Sequence, residues 1–337
     1  MTDKEKALKI LSIIIPAYNV SEYIDQCISS LLTDETINEC LDIIAINDGS
    51  KDDTLEKIKK YEEKYPGIVR AVDKENGGHG SGINKGVELA EGKYLKVLDS
   101  DDWVIPQGLT ALIDHLKSLT EEPDLIINPF EYVYDGTGEK EKVDYNNLKV
   151  GEISDVEDLI VNRYFATIHS ATFKTSVYKD NPIPALDTKV SYDDMEYLLY
   201  PMPYVNKIMY FPEVIYEYRY GTEGQSVSWQ NYIKRRNQHK TIVLSLIKFY
   251  QENKSIFNES QKKYYLSRLY LMINHNINIY LSMEDVKESK RDFVQFIKEC
   301  GDFDLSGTNN KKLALLMKTD FKGYGLIKKY FNKYKQK

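Results

Sequence analysis

The chain has 337 residues, of which 42% are hydrophobic and 29% charged, with a formal net charge of −7 at pH 7. This negative balance argues against general nucleic-acid binding, and no apolar run approaches the ~20 residues of a membrane span. The length predicts two domains, and three cysteines without metal-ligand spacing favour a reducing cytoplasm.

The first hundred residues predict repeated strand and helix units. Short apolar or β-branched runs predict four strands, at residues 11–15, 41–46, 68–72 and 93–98. Amphipathic stretches predict a helix after each of the first three strands, at residues 23–32, at 54–65 and up to Ala90. Ser21 is the expected N-cap of the first helix, and Ser50 or Asp52 of the second. Such units imply parallel strands joined by right-handed crossovers, whose polar loops open on one edge of the sheet.

Three carboxylates follow the fourth strand within four positions: Asp99, Asp101 and Asp102, here called the aspartate cluster. Such a cluster repels itself unless a cation binds to it. Divalent cations such as Mg²⁺ and Mn²⁺ take carboxylate oxygens together with substrate phosphates, and ligands of open α/β sheets bind at the carboxyl ends of strands. The sequence therefore predicts a metal–diphosphate site, with a solvated acidic turn that caps the next helix as the alternative.

Five short motifs in a fixed order carry a family resemblance. They are Pro16-Ala17-Tyr18-Asn19, Asn47-Asp48-Gly49-Ser50, Asn76-x-Gly78 with Asn84-x-Gly86, Ala90-x-Gly92-x-Tyr94 and Leu98-Asp99-Ser100-Asp101-Asp102. In this order and spacing the chain resembles the family 2 glycosyltransferases, over roughly residues 9–220. The resemblance implies an α/β fold of the GT-A type, with a Rossmann-like mixed sheet. It also implies transfer of a sugar from a nucleotide diphosphate to an acceptor.

The resemblance also implies roles for single residues of a donor site. Asp48 would accept a hydrogen bond from the base, although an aspartate before Gly-Ser is equally a turn residue. Asp99 would hold the ribose or the metal, and Asp101 would be the direct ligand of Mn²⁺ or Mg²⁺. Asp102 is either part of this site or a cap for the helix that begins near Pro106. The other donor-binding candidates are Pro16, Ala17, Tyr18, Asn19, Asn76, Gly78, His79, Lys85, Ser100 and Arg219.

The glycine-rich segment 78–82 does not match a dinucleotide-binding loop. That fingerprint needs a glycine where Ile83 stands, and it follows the first strand of a sheet. The glycines would instead let the backbone approach the donor sugar or phosphate, with amides at a helix N-terminus facing negative charge. Since the family usually has arginine at the position of Ile83, the diphosphate would be neutralised by the metal, Lys85, Lys74 or a residue elsewhere.

An acidic pair, Asp193 and Asp194, stands at the predicted start of a helix. It resembles the pair that supplies the family's catalytic base. Inverting transfer needs one carboxylate to take the proton of the acceptor hydroxyl, and the resemblance assigns this role to Asp194, with Asp193 orienting it or raising its pKa. The alternative is that both acids only favour the dipole of a helix N-terminus.

Two further segments near the end of this region have open alternatives. Tyr216–Tyr220 predicts a strand, and the polar loop after it, through Ser228, would close over the diphosphate with Arg219 as a ligand; ordinary edge-strand packing is the alternative. His169, expected in a strand, would be an acceptor contact, a distal metal ligand or a core histidine.

The chain changes character after about residue 228, which predicts a catalytic domain at 1–227 and a helical domain at 228–337. Ser282 and Asp285 are spaced as a capping box for a helix from 286 to 300. Residues 311–337, here called the basic tail, carry nine lysines against the single acid Asp320. The tail would bind an anionic membrane surface that holds a lipid-linked acceptor; a solvated terminus or an acidic protein partner are the alternatives.

The sequence as a whole predicts a cytoplasmic, metal-dependent, inverting glycosyltransferase, peripheral on the membrane. Its donor would be a UDP-linked sugar, and its acceptor a glycan or lipid-linked hydroxyl in surface polysaccharide or glycoconjugate synthesis. A catalytically silent sugar-nucleotide-binding protein of the same fold is the main alternative. A nucleotidyltransferase is disfavoured because residues 16–19 do not form the glycine-rich, basic loop that it needs after the first strand.

Overall fold

The structure is a computed structural model that describes residues 8–145, 148–160, 165–188, 190–221 and 229–335. Two compact units divide the chain, one within residues 1–223 and the other within residues 224–337. The predicted boundary between residues 227 and 228 lies outside the described residues.

The described part of the first unit contains two β-sheets. Their strands are β1 (Leu11–Ala17), β2 (Leu41–Asp48), β3 (Val69–Lys74), β4 (Tyr94–Val97), β5 (Trp103–Val104), β6 (Leu125–Ile127), β7 (Phe130–Tyr134), β8 (Lys140–Val143), β9 (Ile153–Ser154), β10 (Ala171–Lys174), β11 (Ile208–Tyr210) and β12 (Tyr216–Tyr220). The larger sheet has the order β3-β2-β1-β4-β10-β6-β11-β9, and the smaller sheet the order β5-β12-β7-β8.

The larger sheet is mixed. Strands β3, β2, β1 and β4 are parallel neighbours, as the strand–helix repeats predict. Both β1 and β2 are buried along their whole length, which is typical of parallel strands covered on both faces. β10 then lies antiparallel between β4 and β6, so that Phe173 pairs with both Leu95 and Leu125.

The smaller sheet brings a distant segment to the aspartate cluster. β5 follows the cluster directly, and β12 pairs antiparallel with it, Tyr216 lying opposite Val104 and Glu217 opposite Trp103. β12 also runs parallel to β7. The pairing with β5 therefore fixes where Arg219 and Tyr216 lie relative to the three aspartates.

The helices of the first unit are α1 (Ile24–Leu31), α2 (Glu35–Asn38), α3 (Thr54–Lys64), α4 (His79–Leu89), α5 (Pro106–Ser118), α6 (Thr175–Lys179) and α7 (Asp194–Leu199). The prediction that Ser21 caps α1 is wrong: the N-cap is Tyr23, without a side-chain bond, and the backbone N–H of Ser21 donates to Asp52. The prediction of Ser50 or Asp52 as the N-cap of α3 is also wrong, because the N-cap is Asp53. Asp52 still accepts from the backbone N–H of Thr54, so it links the two loops at the start of α3.

Helix α4 lies unusually close to β1. A Cβ on Gly86 would stand 2.2 Å from Ile14 Cγ2, and one on Gly82 would stand 3.0 Å from Pro16 Cβ. The glycines at these two positions thus serve the packing of the helix on the sheet rather than approach to a ligand. An alanine at Gly86 would force the helix away from β1.

The described residues of the second unit are helical, in agreement with the prediction. Its helices are α8 (Trp229–Lys234), α9 (Arg236–Asn253), α10 (Glu259–Ser282), α11 (Val286–Glu299), α12 (Lys311–Lys318) and α13 (Tyr324–Lys335). The predicted capping box at α11 is wrong in part, because Asp285 alone caps the helix, whereas the hydroxyl of Ser282 donates to Asn278. Within the described residues, no helix is long and apolar enough to cross a bilayer.

The basic tail is part of the core of the second unit. Tyr324 is 1% exposed, and its ring packs edge-on against Phe293. The ammonium of Lys328 is buried and donates to the carbonyls of Leu281 and Met283. The tail is thus two helices, α12 and α13, anchored by apolar side chains and by one buried lysine.

Candidate active site

The aspartate cluster begins where β4 ends, and Asp102 is its anchored member. Asp102 is 1% exposed and accepts hydrogen bonds from the Tyr216 hydroxyl (2.6 Å) and from the backbone N–H of Arg219 (2.8 Å). The helix-cap alternative for Asp102 is wrong, because α5 has Ile105 as its N-cap and no side-chain cap. Asp102 therefore holds the cluster to β12.

The three carboxylates of the cluster affect one another. Burial raises the pKa of Asp102 well above its usual range, and the charges of Asp101 and Asp99 raise it further. Burial and the charge of Asp99 also raise the pKa of Asp101. Asp99 differs: burial opposes its ionisation, but the hydrogen bond and the charge of His79, together with a smaller contribution from His169, outweigh burial and lower the pKa of Asp99. A cation at this position would favour the ionised form of all three carboxylates.

His79, the first residue of α4, links the aspartate cluster to the acidic pair. Its Nδ1 lies 2.8 Å from Asp193 Oδ2, and its Nε2 lies 3.1 Å from Asp99 Oδ1. Burial would lower the pKa of His79, but the two carboxylates raise it well above its ordinary value. A protonated imidazole donates from both nitrogens, so His79 can bind both carboxylates at once and fix their separation.

His169 also faces the aspartate cluster. It lies in the turn before β10, not within a strand as predicted. Ligand atoms of Asp99, Asp102 and His169 all lie within 4.8 Å of one another. Burial lowers the pKa of His169 to about 4, so the imidazole is neutral at pH 7. The interpretation of His169 as a satisfied core histidine is wrong for one atom: Nδ1 is buried and has no hydrogen-bond partner among the described residues.

Asp48, at the end of β2, organises the glycine-rich loop. Its carboxylate accepts hydrogen bonds from the backbone N–H groups of Gly77 (2.9 Å) and Gly78 (2.7 Å) and from Lys74 Nζ (2.5 Å). Asn76 donates its side-chain amide to the Asp48 carbonyl. The amides expected to face a ligand phosphate thus face Asp48, which keeps about one of its four acceptor positions for a base.

The loop after β1 is tied to the loop after β2. Asn19 has a positive φ of 52°. Its backbone N–H donates to Ser50 Oγ, and its side-chain oxygen accepts from the backbone N–H of Lys51. Pro16 and Ala17 are buried, whereas Tyr18 is 47% exposed and offers its ring to a ligand at this edge.

Arg219 is held beside the aspartate cluster by aromatic rings. Its guanidinium carbon lies 4.7 Å from the centre of the Trp103 ring and 4.9 Å from that of Tyr23. Its Nε donates to the Asp101 carbonyl, and its Nη2 to Gln26 Oε1. Cation–π contact with two rings orients the guanidinium, whose Nη1 also lies 3.8 Å from Asp135 Oδ1.

The remaining predicted site residues fall into different surroundings. Asp193 is 3% exposed and directed at His79, whereas Asp194 begins α7 and is partly exposed. Ser100 is buried within the cluster. Lys85 pairs with Glu88 at 2.7 Å on the same helix. The loop expected to close over the diphosphate, residues 222–228, lies outside the described residues.

Several contacts at this site had no local signal in the sequence. The residues around Arg219 and Asp102 each look like an ordinary core or helix residue in their own segment. They are Tyr216, Trp103, Tyr23 and Gln26. The sequence around Lys74 likewise does not predict its salt bridge with Asp48. The pairing of β5 with β12 and of β2 with β3, together with the packing of α1 beside β5, reveals these neighbours.

Comparisons with known proteins bear on the family and the fold of the chain. The family model described as Glycosyl transferase family 2 matches residues 12–181. The chain is 38% identical over 112 residues to chondroitin synthase from Escherichia coli, which covers 33% of this chain and 16% of that relative. The chain therefore matches less than a fifth of that relative's own length.

Two solved structures share the fold. S. aureus TarS 1-349 in complex with UDP has a TM-score of 0.59 and 19% identity, covering 86% of this chain and 81% of the TarS chain. The mannosyltransferase PcManGT from Pyrobaculum calidifontis, in complex with GDP-Man and Mn²⁺, has a TM-score of 0.51 and 14% identity. The match covers 95% of this chain and 84% of the PcManGT chain.

Proposed function

The chain belongs to glycosyl transferase family 2, and on that premise we propose that it is an inverting glycosyltransferase with a UDP-linked donor. The predicted family and the α/β fold of the GT-A type with C-terminal helices are confirmed. We propose that the acceptor is a hydroxyl of a glycan or lipid-linked glycan in polysaccharide or glycoconjugate synthesis. The relative named chondroitin synthase supports a polysaccharide product.

One observation carries this proposal: His79 joins Asp99 of the aspartate cluster to Asp193 of the acidic pair. A transferase must hold the leaving diphosphate and the base for the acceptor a short distance apart, because both act on one carbon atom. The chain Asp99–His79–Asp193 supplies that separation. A protein that only bound the sugar nucleotide would not need the acidic pair.

We place the nucleoside at the loops after β1 and β2, with Pro16, Ala17, Tyr18, Asn19 and Asp48 as its contacts. The similarity in fold to TarS with UDP supports uridine as the base. The remaining acceptor position of Asp48 suits an imide N–H of such a base. Asn76, Gly78 and His79 would then lie beside the diphosphate and the sugar.

We place a divalent cation, Mn²⁺ or Mg²⁺, at Asp99 and Asp101. The residues fit such an ion, since the cluster offers carboxylates, and His169 beside it offers a buried imidazole nitrogen without a partner among the described residues. The similarity in fold to the Mn²⁺ complex of PcManGT supports it. When bound, the ion would neutralise charge on the diphosphate.

In the transfer step, Asp194 takes the proton of the acceptor hydroxyl as its oxygen attacks the anomeric carbon. The bond from that carbon to the diphosphate oxygen breaks, and UDP leaves with the electron pair. Asp193 is bound to His79 and nearly inaccessible, whereas Asp194 is partly exposed, which supports Asp194 as the base. In-line attack inverts the configuration at the anomeric carbon.

Single-turnover release of UDP tests the proposal. The full chain, in excess over each of a panel of UDP-sugars, is mixed with Mn²⁺ and glycan acceptors, and UDP and the configuration of the product are measured. We expect UDP release with at least one donor and an inverted linkage. UDP binding without release from any donor would support the catalytically silent alternative, and a retained linkage would contradict Asp194 as a simple base.

A first prediction concerns Arg219 as the diphosphate ligand in place of the family arginine at Ile83. We expect Arg219→Gln to weaken UDP binding by roughly 10–100-fold, the effect of losing one hydrogen bond to a charged group. Calorimetry with UDP and with uridine measures this, because uridine lacks the diphosphate and should bind both proteins equally.

Lys85→Gln is the matched control for Arg219→Gln, since Lys85 is another cation predicted to bind the diphosphate and pairs with Glu88. We expect it to leave UDP affinity unchanged. If Lys85→Gln weakens UDP binding and Arg219→Gln does not, the diphosphate lies against α4 rather than β12.

We also propose that α12 and α13 bind an anionic membrane surface. Lysines at 318, 322, 329 and 333 are exposed. Four apolar side chains of the same helices are also exposed, with the exposed fraction in parentheses: Leu315 (52%), Met317 (48%), Leu326 (77%) and Tyr330 (61%). Exposed apolar side chains among lysines match the surface of a bilayer that contains anionic lipids. Lys328, being buried, would not contribute.

A second prediction tests this surface by charge reversal, because truncation of the tail would expose the core around Tyr324. Each of these four exposed lysines contributes about 1 kcal/mol near a charged membrane, so replacing them with glutamate should lower vesicle affinity by at least roughly 10³-fold. Sedimentation with vesicles containing phosphatidylserine, at low and high salt, measures it.

The control variant reverses three exposed lysines of the first unit, Lys51, Lys59 and Lys60. It should sediment as the unaltered protein does. If the unaltered protein does not sediment with anionic vesicles at low salt, the membrane proposal fails, and a glycan or an acidic protein becomes the expected partner of the tail.

A further inference from the structure

We propose that His169 is a nitrogen ligand of the divalent cation, together with Asp99 and Asp102, and that it makes the site prefer a transition-metal ion to Mg²⁺. The proposal rests on the proposed function, because it concerns the ion placed at the aspartate cluster. Asp101, where the proposed function also places the ion, lies outside this group of three, so Asp102 and His169 are proposed as ligands in addition to Asp99 and Asp101.

Geometry brings the three residues together. One ligand atom from each of Asp99, Asp102 and His169 lies within 4.8 Å of the others, a spacing that one ion can bridge with small side-chain movements. Asp99 and Asp102 follow β4, and His169 precedes the neighbouring strand β10. The turn and the cluster therefore meet because the two strands are antiparallel neighbours.

His169 has an unused donor atom for an ion. Its Nδ1 is buried and has no hydrogen-bond partner among the residues that the structure describes. Buried polar atoms are nearly always satisfied, so a buried imidazole nitrogen beside two carboxylates suits a metal ion. His79, in contrast, uses both ring nitrogens for carboxylates and is not available as a ligand.

The imidazole of His169 is held in place before any ion binds. Its ring stacks on the ring of Tyr218, with 4.5 Å between the ring centres, and packs against the rings of Tyr216 and Phe130, whose centres lie 4.9 Å and 5.0 Å away. Lys96 Nζ donates to the His169 carbonyl (2.7 Å) and so anchors the turn. A ligand whose ring and backbone are both fixed loses little freedom when it binds a metal.

Asp102 has the supporting contacts of a metal ligand. The Tyr216 hydroxyl donates to Oδ2 and the backbone N–H of Arg219 to Oδ1. A carboxylate has about four acceptor positions, so both oxygens keep one for an ion. Outer hydrogen bonds of this kind orient ligating carboxylates in known metal sites.

The nitrogen ligand has a consequence for metal choice. Mg²⁺ takes oxygen ligands almost entirely, whereas imidazole is a frequent ligand of first-row transition metals. The affinity of a mixed oxygen and nitrogen site should therefore rise from Mg²⁺ to Mn²⁺ to Co²⁺. A site of carboxylates alone would discriminate less.

The experiment titrates Mn²⁺, Co²⁺ and Mg²⁺ into the full chain without nucleotide, and repeats the titration with UDP. Free Mn²⁺ is followed by electron paramagnetic resonance, and pulsed spectra of bound Mn²⁺ report coupling to a ¹⁴N nucleus of a ligated imidazole. The variants are His169→Gln and His169→Phe, the second of which keeps an aromatic ring between Tyr218 and Phe130. Asp102→Asn tests the neighbouring ligand.

We expect a ¹⁴N signal in the unaltered protein that both His169 variants lack. Mn²⁺ affinity should fall by roughly 10–100-fold, the usual range when a residue supporting a metal site is lost, while Mg²⁺ affinity changes much less. Asp102→Asn should weaken Mn²⁺ binding but keep the ¹⁴N signal. His115→Gln is the matched control, since His115 is a ring-stacked histidine whose contacts are Phe211 and Met209.

Unchanged Mn²⁺ affinity in both His169 variants would overturn the proposal, and so would a ¹⁴N signal that persists in them and disappears in His79→Gln. Absence of Mn²⁺ binding to the unaltered protein, with and without UDP, would also overturn it. If His169 ligates Mn²⁺ but no UDP-sugar is cleaved, the metal site stands and the proposed transferase function fails. If a UDP-sugar is cleaved and His169→Phe does not change that cleavage, the transferase function stands and the proposal for His169 fails.

Discussion

Replacing Asp194 with asparagine should lower turnover by roughly 10²–10⁴-fold, the usual cost of losing a general base, and leave donor affinity nearly unchanged. The reason is that an asparagine side chain cannot take the proton of the acceptor hydroxyl, whereas the donor is held by residues of β1, β2 and β4. The measurement combines steady-state kinetics with calorimetric titration of UDP in the presence of Mn²⁺.

Asp193→Asn is the matched control for this prediction. Asparagine keeps an oxygen that can accept from His79, so the link from His79 to the acidic pair survives and turnover should fall less than in Asp194→Asn. An active Asp194→Asn enzyme, together with an inactive Asp193→Asn enzyme, would transfer the role of the base to Asp193.

Removal of divalent cations should nearly abolish UDP binding. Two like charges about 4 Å apart repel by about 4 kcal/mol at an effective dielectric constant of about 20, so unscreened carboxylates beside a diphosphate would cost roughly 10³-fold in affinity. Calorimetry of UDP in Mn²⁺ and in chelator measures this. Asp99→Asn and Asp101→Ala should each reduce the dependence on Mn²⁺, because each removes a proposed ligand.

Uridine provides the control, because it carries no phosphate and should bind equally with Mn²⁺ and with chelator. Equal UDP affinity in Mn²⁺ and in chelator would show that the diphosphate does not lie at the aspartate cluster. A metal effect on uridine would instead point to an ion that orders the nucleoside loops.

The first four strands of the larger sheet could be predicted because each unit is complete within a short segment. The periodicity of residues 11–98 identifies strands and helices, and parallel pairing follows from the crossovers. The motifs at Asp48 and Asp99 are equally local, since each lies where a strand ends. The predictions that failed were those of single hydrogen bonds, such as the cap at Ser21, where the backbone N–H groups of Tyr23 and Ile24 donate to the Val20 carbonyl instead.

The other half of the site could not be predicted, since it depends on pairings between distant segments. The Tyr216 hydroxyl reaches Asp102 across 114 residues of sequence, and no pattern around Tyr216 distinguishes it from an edge-strand tyrosine. The role of the glycines was ambiguous for a related reason. Gly82 and Gly86 allow another group to approach the backbone of α4 closely, but only the fold shows that this group is β1 rather than a ligand. Lys74 likewise could not be assigned to Asp48 before β2 and β3 were paired.

The insertion of β10 between β4 and β6 bears on how this chain can change in evolution. The cost of closing a flexible connection rises by only about 0.6 kcal/mol for each doubling of its length, so the turn at residues 135–139, which joins β7 to β8 in the segment between β6 and β10, can grow or shrink at little cost. The strand itself has no such freedom. A slip of one residue in the pairing of Phe173 with Leu95 would reverse every side chain of β10 and displace the turn that holds His169. Insertions and deletions should therefore accumulate between β7 and β8 and be absent from β10.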